Sequence, residues 1–247
     1  TPTPAPAPAA RRNTDAAAAA NAVRKPGELF SGATRQQLNV VFSRMSRPVT
    51  LALELDDTPL STELQGFIDA MVALSGGKLK SVVVDGEYEK DDMGRSVFDV
   101  EHVLPAARPC VRMVVDGKPT GLAFHGVPSG HEFNSFVLGL YNVAGSGQPL
   151  GDDLIERAKS ITDPLSIMIL VSLTCTMCPE TVLASQRIAS LNPAVRAEAY
   201  DVAHFPELRD HYGAMSVPCI VITRADGTQQ VEFGKKSIPQ MLELVGA

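Results

Sequence analysis

An apolar segment, two closely spaced cysteines and the start of a helix follow one another in residues 165–180, LSIMILVSLTCTMCPE. The apolar run 165–171 predicts a buried strand, and Pro179 is typical of the first turn of a helix. Cys175 and Cys178 therefore lie at the turn from strand to helix. A thiol at a helix N-terminus is near unpaired backbone N–H groups and the positive end of the helix dipole, which favour the nucleophilic thiolate.

The spacing of the two cysteines predicts a redox pair. Two intervening residues let the second sulfur reach the first, so a mixed disulfide formed at Cys175 can be resolved by Cys178. Zinc sites use the same C-x-x-C spacing, but they need four ligands, and the sequence has no second close pair of cysteine or histidine residues. The pattern favours dithiol–disulfide chemistry, with a zinc site as the alternative.

The residues around the motif predict one folding unit, a βαβ part followed by a ββα part. The βαβ part calls for a right-handed parallel crossover. The predicted elements are a strand at 165–171, a helix at 179–191, a strand at 195–202, a strand opened by Pro218, an Asp-Gly hairpin turn at 226–227 and a helix at 237–245.

The first half of the chain repeats this order. Its predicted elements are strands at 48–55 and 79–84, helices at 64–74 and 132–143, and a hairpin that begins at Pro109 and turns at 116–117. Fifteen residues separate Pro109 from Phe124, and fifteen separate Pro218 from Phe233. The sequence therefore predicts an α/β protein of two tandem thioredoxin-like folds, each βαβ plus ββα. Chance similarity between two α/β halves is the alternative.

Pro218 is the second residue expected at the redox site. A proline at the start of the third strand of a thioredoxin-like fold lies beside the C-x-x-C pair. In the cis form it presents the backbone of the preceding residue, here Val217, to the extended chain of a partner. An ordinary proline on an edge strand is the alternative.

The first fold is predicted to be redox-inactive. Its strand-to-helix turn, residues 58–63, has the sequence TPLSTE and contains no cysteine. The remaining cysteines, Cys110 and Cys219, each follow the proline of a hairpin. Strand alternation directs both side chains toward the core, so they are predicted to be buried and unreactive.

Composition excludes several classes of function. The formal net charge is −6 and no long basic run is present, so nucleic acid and anionic membranes are not expected partners. The apolar stretches are shorter than the roughly 20 residues of a membrane-spanning helix. Four cysteines in 247 residues are too few for a disulfide scaffold, so a reducing, cytoplasmic location is expected.

The predicted organisation has three parts. Residues 1–33 are an Ala/Pro-rich disordered tail, 34–150 the first fold and 151–247 the second fold, which carries the C-x-x-C pair. A helix capped by Thr34 is expected to open the first fold, and a connecting helix is expected at 152–160.

Four segments carry a resemblance to a known family: LTCTMCP at 173–179, LNP at 191–193, VP at 217–218 and GHEF at 130–133. With them, the chain from residue 34 to 247 resembles the N-terminal double-thioredoxin domain of the flavoprotein subunit of alkyl hydroperoxide reductase. The resemblance implies that electrons pass from a flavin- and nicotinamide-binding module to a two-cysteine peroxiredoxin. It implies that the first cysteine, Cys175, attacks the partner disulfide.

The resemblance also gives Glu132 a role. In the family the matching acid lies between the two folds near the C-x-x-C pair, where it would oppose the thiolate and exchange protons with the thiols. The alternative is an ordinary carboxylate in the first turn of a helix, stabilised by the helix dipole.

The chain departs from the family in three ways. It ends at Ala247, where the family continues into the flavin domain, and it has no G-x-G-x-x-G fingerprint, so it is not expected to use NAD(P)H alone. FAD and NAD(P)H are expected on a missing domain or a separate reductase. Thr176 and Met177 replace the expected His-Asn, and residues 85–108 look like a surface insertion.

Three functions compete at this point. The first is electron transfer from a flavoprotein reductase to a peroxiredoxin. The second is a stand-alone protein disulfide reductase or isomerase of broad specificity. The third is a non-catalytic adaptor that binds proteins through the fold.

Overall fold

The computed structural model describes residues 29–84, 89–90, 92–94 and 107–247. The helices are α1 (Gly32–Arg44), α2 (Pro59–Leu74), α3 (Glu132–Ala144), α4 (Asp152–Lys159), α5 (Cys178–Leu191), α6 (Pro206–His211) and α7 (Ile238–Val245). The strands are β1 (Val49–Glu54), β2 (Leu79–Val83), β3 (Cys110–Val115), β4 (Lys118–His125), β5 (Leu165–Val171), β6 (Val195–Asp201), β7 (Cys219–Arg224) and β8 (Gln229–Phe233). No helix within these ranges is long and apolar enough to span a membrane.

The two halves of the chain have the same strand topology. In the first half β1 pairs in parallel with β2 and antiparallel with β3, and β3 pairs antiparallel with β4. In the second half β5 pairs in parallel with β6 and antiparallel with β7, and β7 pairs antiparallel with β8. The prediction of two tandem thioredoxin-like folds is confirmed.

The two folds share one sheet, which the sequence did not predict. The strand order is β2-β1-β3-β4-β6-β5-β7-β8, and β4 of the first fold pairs in parallel with β6 of the second. The paired residues run from Leu122 with Ala197 to His125 with Tyr200. Backbone hydrogen bonds therefore continue across the boundary between the folds.

Both faces of the central strands are buried. Ile167 and Ile169 of β5 pack into the larger hydrophobic cluster, whereas Met168 and Leu170 pack into a second cluster that also contains Leu208 of α6. Successive side chains of a strand point to opposite faces, so the two clusters lie on opposite sides of the sheet. This explains why β5 reads as a continuous apolar run rather than an alternating one.

Helix starts differ from the sequence prediction at two places. Thr34 is not the cap of α1: Ser31 is, and its hydroxyl accepts a hydrogen bond from the Thr34 N–H at 3.2 Å. The ring of Phe30 is buried and lies 5.6 Å from the ring of Phe67, so packing of the first fold includes residues before Thr34. Helix α2 begins at Pro59 rather than at residue 64, because Thr58 caps it and proline suits the first position.

Other boundaries follow the prediction closely. The connecting helix α4 is present, and the hydroxyl of Ser237 caps α7 in a capping box with Gln240. The short helix α6 was not predicted. Residues 1–28 and most of the expected insertion at 85–108 lie outside the described residues, so the tail and the insertion stay predictions, as does the boundary between residues 150 and 151.

Candidate active site: the Cys175–Cys178 disulfide

The two cysteines form a disulfide at the turn between β5 and α5. Their Cα atoms are 5.6 Å apart, within the usual range for a disulfide. Cys175 is partly exposed, whereas Cys178 is fully buried as the first residue of α5. One sulfur of the pair is therefore accessible and the other lies behind it.

Backbone groups around the turn support a thiolate at Cys175. The N–H of Cys178 points to the Sγ atom of Cys175 at a distance of 3.1 Å. Met177 is the N-cap of α5 and provides no side-chain cap, so this N–H at the helix start is directed to the sulfur. The Cys175 N–H donates to the Ser172 carbonyl at 2.9 Å, which holds the turn closed.

The structure places Pro218 beside the disulfide. The Val217–Pro218 peptide bond is cis, and the Val217 carbonyl oxygen is 3.8 Å from the Sγ of Cys175. Pro218 is buried, and its carbonyl accepts a hydrogen bond from Gly234 at 2.9 Å. The backbone before Pro218 thus lies next to the accessible sulfur.

Glu132 is buried between the two folds. It is the first residue of α3 and has no exposed surface. Burial raises the pKa of Glu132 to about 7, although the Ser135 hydroxyl, which donates to Oε2, acts in the opposite direction. The other oxygen, Oε1, has no hydrogen-bond partner among the described residues. The carboxyl can therefore change protonation state near neutral pH.

The loop before Glu132 contacts the redox turn directly. The His131 N–H donates to the Leu173 carbonyl at 2.9 Å, two residues before Cys175. Gly130 has φ +57°, and a Cβ atom there would lie 2.5 Å from the same carbonyl oxygen. The sequence GHEF at 130–133 therefore positions the acid against the segment that carries the cysteines.

The equivalent turn of the first fold has polar side chains in place of sulfur. The Asp56 carboxylate accepts hydrogen bonds from the Ser61 hydroxyl at 2.6 Å and from the Thr58 N–H at 3.3 Å. The Arg108–Pro109 peptide bond is cis, like its counterpart at Pro218. The first fold keeps the backbone geometry of the site and lacks its thiols.

The two other cysteines are free thiols with no exposed surface. Burial raises the pKa of Cys219 to about 11 and raises the pKa of Cys110 further, because the thiolate loses its hydration. Cys110 also lies 3.6 Å from Nε2 of His125. Both residues are buried, as the sequence predicts.

A buried charge network at the junction of the folds was not predicted. The Glu198 carboxylate on β6 accepts hydrogen bonds from Arg112 at 2.8 Å and from Arg196 at 3.1 Å, and Nε2 of His125 lies 2.9 Å away. Burial opposes its ionisation, but His125 and Arg112 outweigh this and hold the pKa of Glu198 well below its usual range. A glutamate inside the buried strand VRAEAYD was the available signal.

Within the described ranges, no group of three or more His, Cys, Asp or Glu side chains is arranged to hold a metal ion. The two cysteines of the C-x-x-C motif are paired with each other instead. The observed pairing favours redox chemistry over the zinc alternative.

Comparisons with known proteins agree with the geometry. The family described as thioredoxin domain matches residues 165–232. The NTD_N/C domain of alkyl hydroperoxide reductase AhpF from Enterococcus faecalis is 38% identical, with a TM-score of 0.75, covering 88% of this chain and 100% of that domain. The chain belongs to the family of AhpF N-terminal domains. Its disulfide is accordingly that of a thiol–disulfide oxidoreductase.

Two other relatives delimit this assignment. The AhpF protein of Pseudomonas aeruginosa alkyl hydroperoxide reductase is 32% identical over 188 residues, which are 76% of this chain and 32% of that protein. The chain thus spans about a third of the length of the curated relatives it matches. A protein disulfide oxidoreductase from Aeropyrum pernix shares the fold, with a TM-score of 0.68 at 22% identity, covering 90% of this chain and 93% of that one.

Proposed function

We propose that this domain is a protein dithiol–disulfide oxidoreductase that carries electrons from a flavin-dependent reductase to a peroxiredoxin through Cys175 and Cys178. The observation that carries the proposal is the asymmetry of the disulfide. Cys175 is partly exposed beside the Val217 carbonyl, and Cys178 is fully buried behind it. An attacking thiol needs access to a partner, whereas a resolving thiol needs access only to the first sulfur.

The reaction takes place in two exchange steps. The Cys175 thiolate attacks one sulfur of the partner disulfide, the partner S–S bond breaks, and the departing thiolate takes up a proton. Cys178, after losing its proton, then attacks the Sγ of Cys175. This step restores the Cys175–Cys178 disulfide and releases the second partner thiol. Two electrons and two protons pass to the partner.

Glu132 is the proposed proton carrier for these steps. Its pKa is raised to about 7, so at neutral pH it is able to accept the proton of a thiol and return it. The His131–Leu173 hydrogen bond ties its helix to the redox turn. Pro218 has a positioning role, because it sets the Val217 backbone beside Cys175, where an extended partner chain would pair with it.

The donor and acceptor follow from family membership. The curated relatives are about three times as long as the matched region and are named as subunits of alkyl hydroperoxide reductase. FAD and NAD(P)H belong, in this proposal, to a reductase module that is a further domain or a separate chain. A two-cysteine peroxiredoxin is the proposed acceptor and the cytoplasm the proposed location, since a dithiol of this kind works where thiols are kept reduced.

A stand-alone protein disulfide reductase is the second candidate. The partial exposure of Cys175 favours it, because an accessible sulfur can meet many protein disulfides as well as one dedicated partner. The adaptor alternative lacks a reason for the accessible disulfide.

Reduction of insulin separates the two redox functions from the adaptor. Protein charged with dithiothreitol should reduce insulin faster than dithiothreitol alone. The Cys175→Ser variant should return the rate to that of dithiothreitol. Equal rates for wild-type and variant protein would reject a redox function.

A further inference from the structure

Solvent exposure divides the eight methionines into two groups. The buried ones are Met45, Met71, Met113, Met168 and Met241. The exposed ones are Met93 at 74%, Met177 at 50% and Met215 at 95%. Met215 is the most exposed large apolar side chain in the described part of the chain. Such exposure in water is unfavourable unless a partner covers the side chain.

Two of the exposed methionines flank the disulfide. Met177 lies between the two cysteines in the sequence. Met215 precedes Val217 by two residues, and the Val217 carbonyl is 3.8 Å from the Sγ of Cys175. Two residues of chain span at most about 7 Å, so Met215 stays close to the reacting sulfur. A partner disulfide that reaches Cys175 comes within reach of both thioethers.

The turn before Pro218 holds Met215 outward. Ala214 is buried at 7% exposure, and the Met215 N–H donates to the Gly213 carbonyl at 2.8 Å. Gly213 has φ +57°, which favours glycine at the start of this turn. A buried residue on one side and the Val217 contact with Cys175 on the other fix the backbone that carries the exposed thioether.

We infer that Met215 is a hydroperoxide-sensitive contact residue for the partner, and that its oxidation to the sulfoxide slows electron transfer from the Cys175–Cys178 dithiol to protein disulfides. The occupant of the contact is the extended segment that carries the disulfide of the partner. The inference rests on the proposed transfer to protein disulfides. It adds a modification site that responds to the same class of oxidant that a peroxiredoxin removes.

The oxidation is a balanced two-electron step. A lone pair of the Met215 sulfur attacks the terminal oxygen of a hydroperoxide, an S–O bond forms and the O–O bond breaks. Sulfur is oxidised and the peroxide is reduced, and the proton passes to the departing oxygen, which leaves as water or alcohol. The sulfoxide oxygen is a strong hydrogen-bond acceptor that must lose its water when a partner covers it. A surface that attracts the partner becomes one that resists it.

The test uses the whole chain in its disulfide form. Hydrogen peroxide is added and removed, and methionine sulfoxide is located by peptide mass spectrometry. Dithiothreitol then restores the Cys175–Cys178 dithiol, while sulfoxide reversal requires methionine sulfoxide reductase. Rates are measured with insulin and with the small aromatic disulfide dithiobis(nitrobenzoate). Wild type is compared with Met215→Leu and with Met93→Leu, which removes the exposed methionine of the first fold.

Treated wild type and treated Met93→Leu should reduce insulin about three- to ten-fold more slowly than untreated protein, the effect of losing one important contact. Their rates with the small disulfide should change by less than about two-fold, because it needs little docking surface. Treated Met215→Leu should keep its untreated rate.

Three results would overturn the inference while leaving the proposed function intact: equal slowing of Met215→Leu, an unchanged rate in wild type whose Met215 is oxidised, or resistance of Met215 while Met93 is oxidised. Untreated protein that reduces the small disulfide but not insulin would contradict the proposed function and the inference together.

Discussion

The backbone N–H of His131 donates a hydrogen bond of 2.9 Å to the carbonyl of Leu173 and so joins the first fold to the redox turn of the second. Leu173 lies two residues before Cys175, and Glu132 follows His131 at the start of α3. The close approach depends on Gly130, where a Cβ atom would lie 2.5 Å from the Leu173 oxygen. The redox-inactive fold therefore shapes the active site of its neighbour.

Gly130→Ala tests this contact, with Gly76→Ala as its matched control. Both glycines have φ +57°, but no atom lies within 4 Å of a Cβ at Gly76. Gly76→Ala should cost about 1 kcal/mol of unfolding free energy from backbone strain alone. Gly130→Ala should cost at least about 2 kcal/mol more, because a backbone oxygen must move. Urea unfolding measures both, and equal costs would contradict the contact.

Glu132→Gln should shift the pH profile of Cys175 alkylation to lower pH. The carboxylate has its pKa raised to about 7 by burial, so above that pH its charge opposes a thiolate nearby. The control is Glu180→Gln, which removes a half-exposed carboxylate paired with Lys235 in the first turn of α5. Water screens that charge, so its profile should change little. A Glu132→Gln profile that superimposes on wild type would leave Glu132 as an ordinary first-turn residue.

Cys178→Ser should trap a mixed disulfide between Cys175 and a protein substrate. The variant keeps the accessible thiol and loses the buried one that resolves the intermediate. Non-reducing electrophoresis after incubation with oxidised substrate detects the adduct, and Cys175→Ser is the control. Accumulation of the adduct in Cys175→Ser instead would reverse the two roles.

Glu198→Gln should destabilise the protein at pH 7 by about 3 kcal/mol, as expected when a buried ion pair loses one charge. The pKa of Glu198 is held below its usual range by His125 and Arg112, so its stabilising effect is present above the unfolded pKa of about 4.3. The effect is lost as the pH falls toward the lower, folded-state pKa. The difference between wild type and variant should therefore shrink from pH 7 to pH 3.

Urea unfolding at the two pH values measures this loss. Glu63→Gln, on the exposed surface of α2, should stay within about 0.5 kcal/mol of wild type at both. A difference for Glu198→Gln that is the same at pH 7 and pH 3 would contradict the role of the ionised carboxylate.

The repeated pattern made most of the fold predictable. Strand and helix periodicity located β1, β5, α5 and the hairpins, because each carries its own apolar pattern or Asp-Gly turn. The pairing of β4 with β6 was not predictable, since it joins residues about 70 positions apart and leaves no local signal. Helix α6 escaped because it has six residues and only Leu208 is buried.

The site divides in the same way. The disulfide and the position of Pro218 follow from local motifs with a fixed place in the fold. The burial of Glu132 depends on the packing of the first fold against Leu173, and the Glu198 network depends on the fused sheet. Both required a tertiary contact that one sequence does not specify.

The most direct test of the proposed function is the rate at which reduced wild-type protein transfers electrons to the disulfide form of a two-cysteine peroxiredoxin, compared with insulin. Stopped-flow measurement of both second-order rate constants at the same pH and salt gives the ratio. Electron transfer to a dedicated partner predicts a constant about a hundred-fold or more larger for the peroxiredoxin, equivalent to roughly 2.7 kcal/mol of discrimination. Equal constants for the two disulfides would contradict the proposed partner and favour a general disulfide reductase.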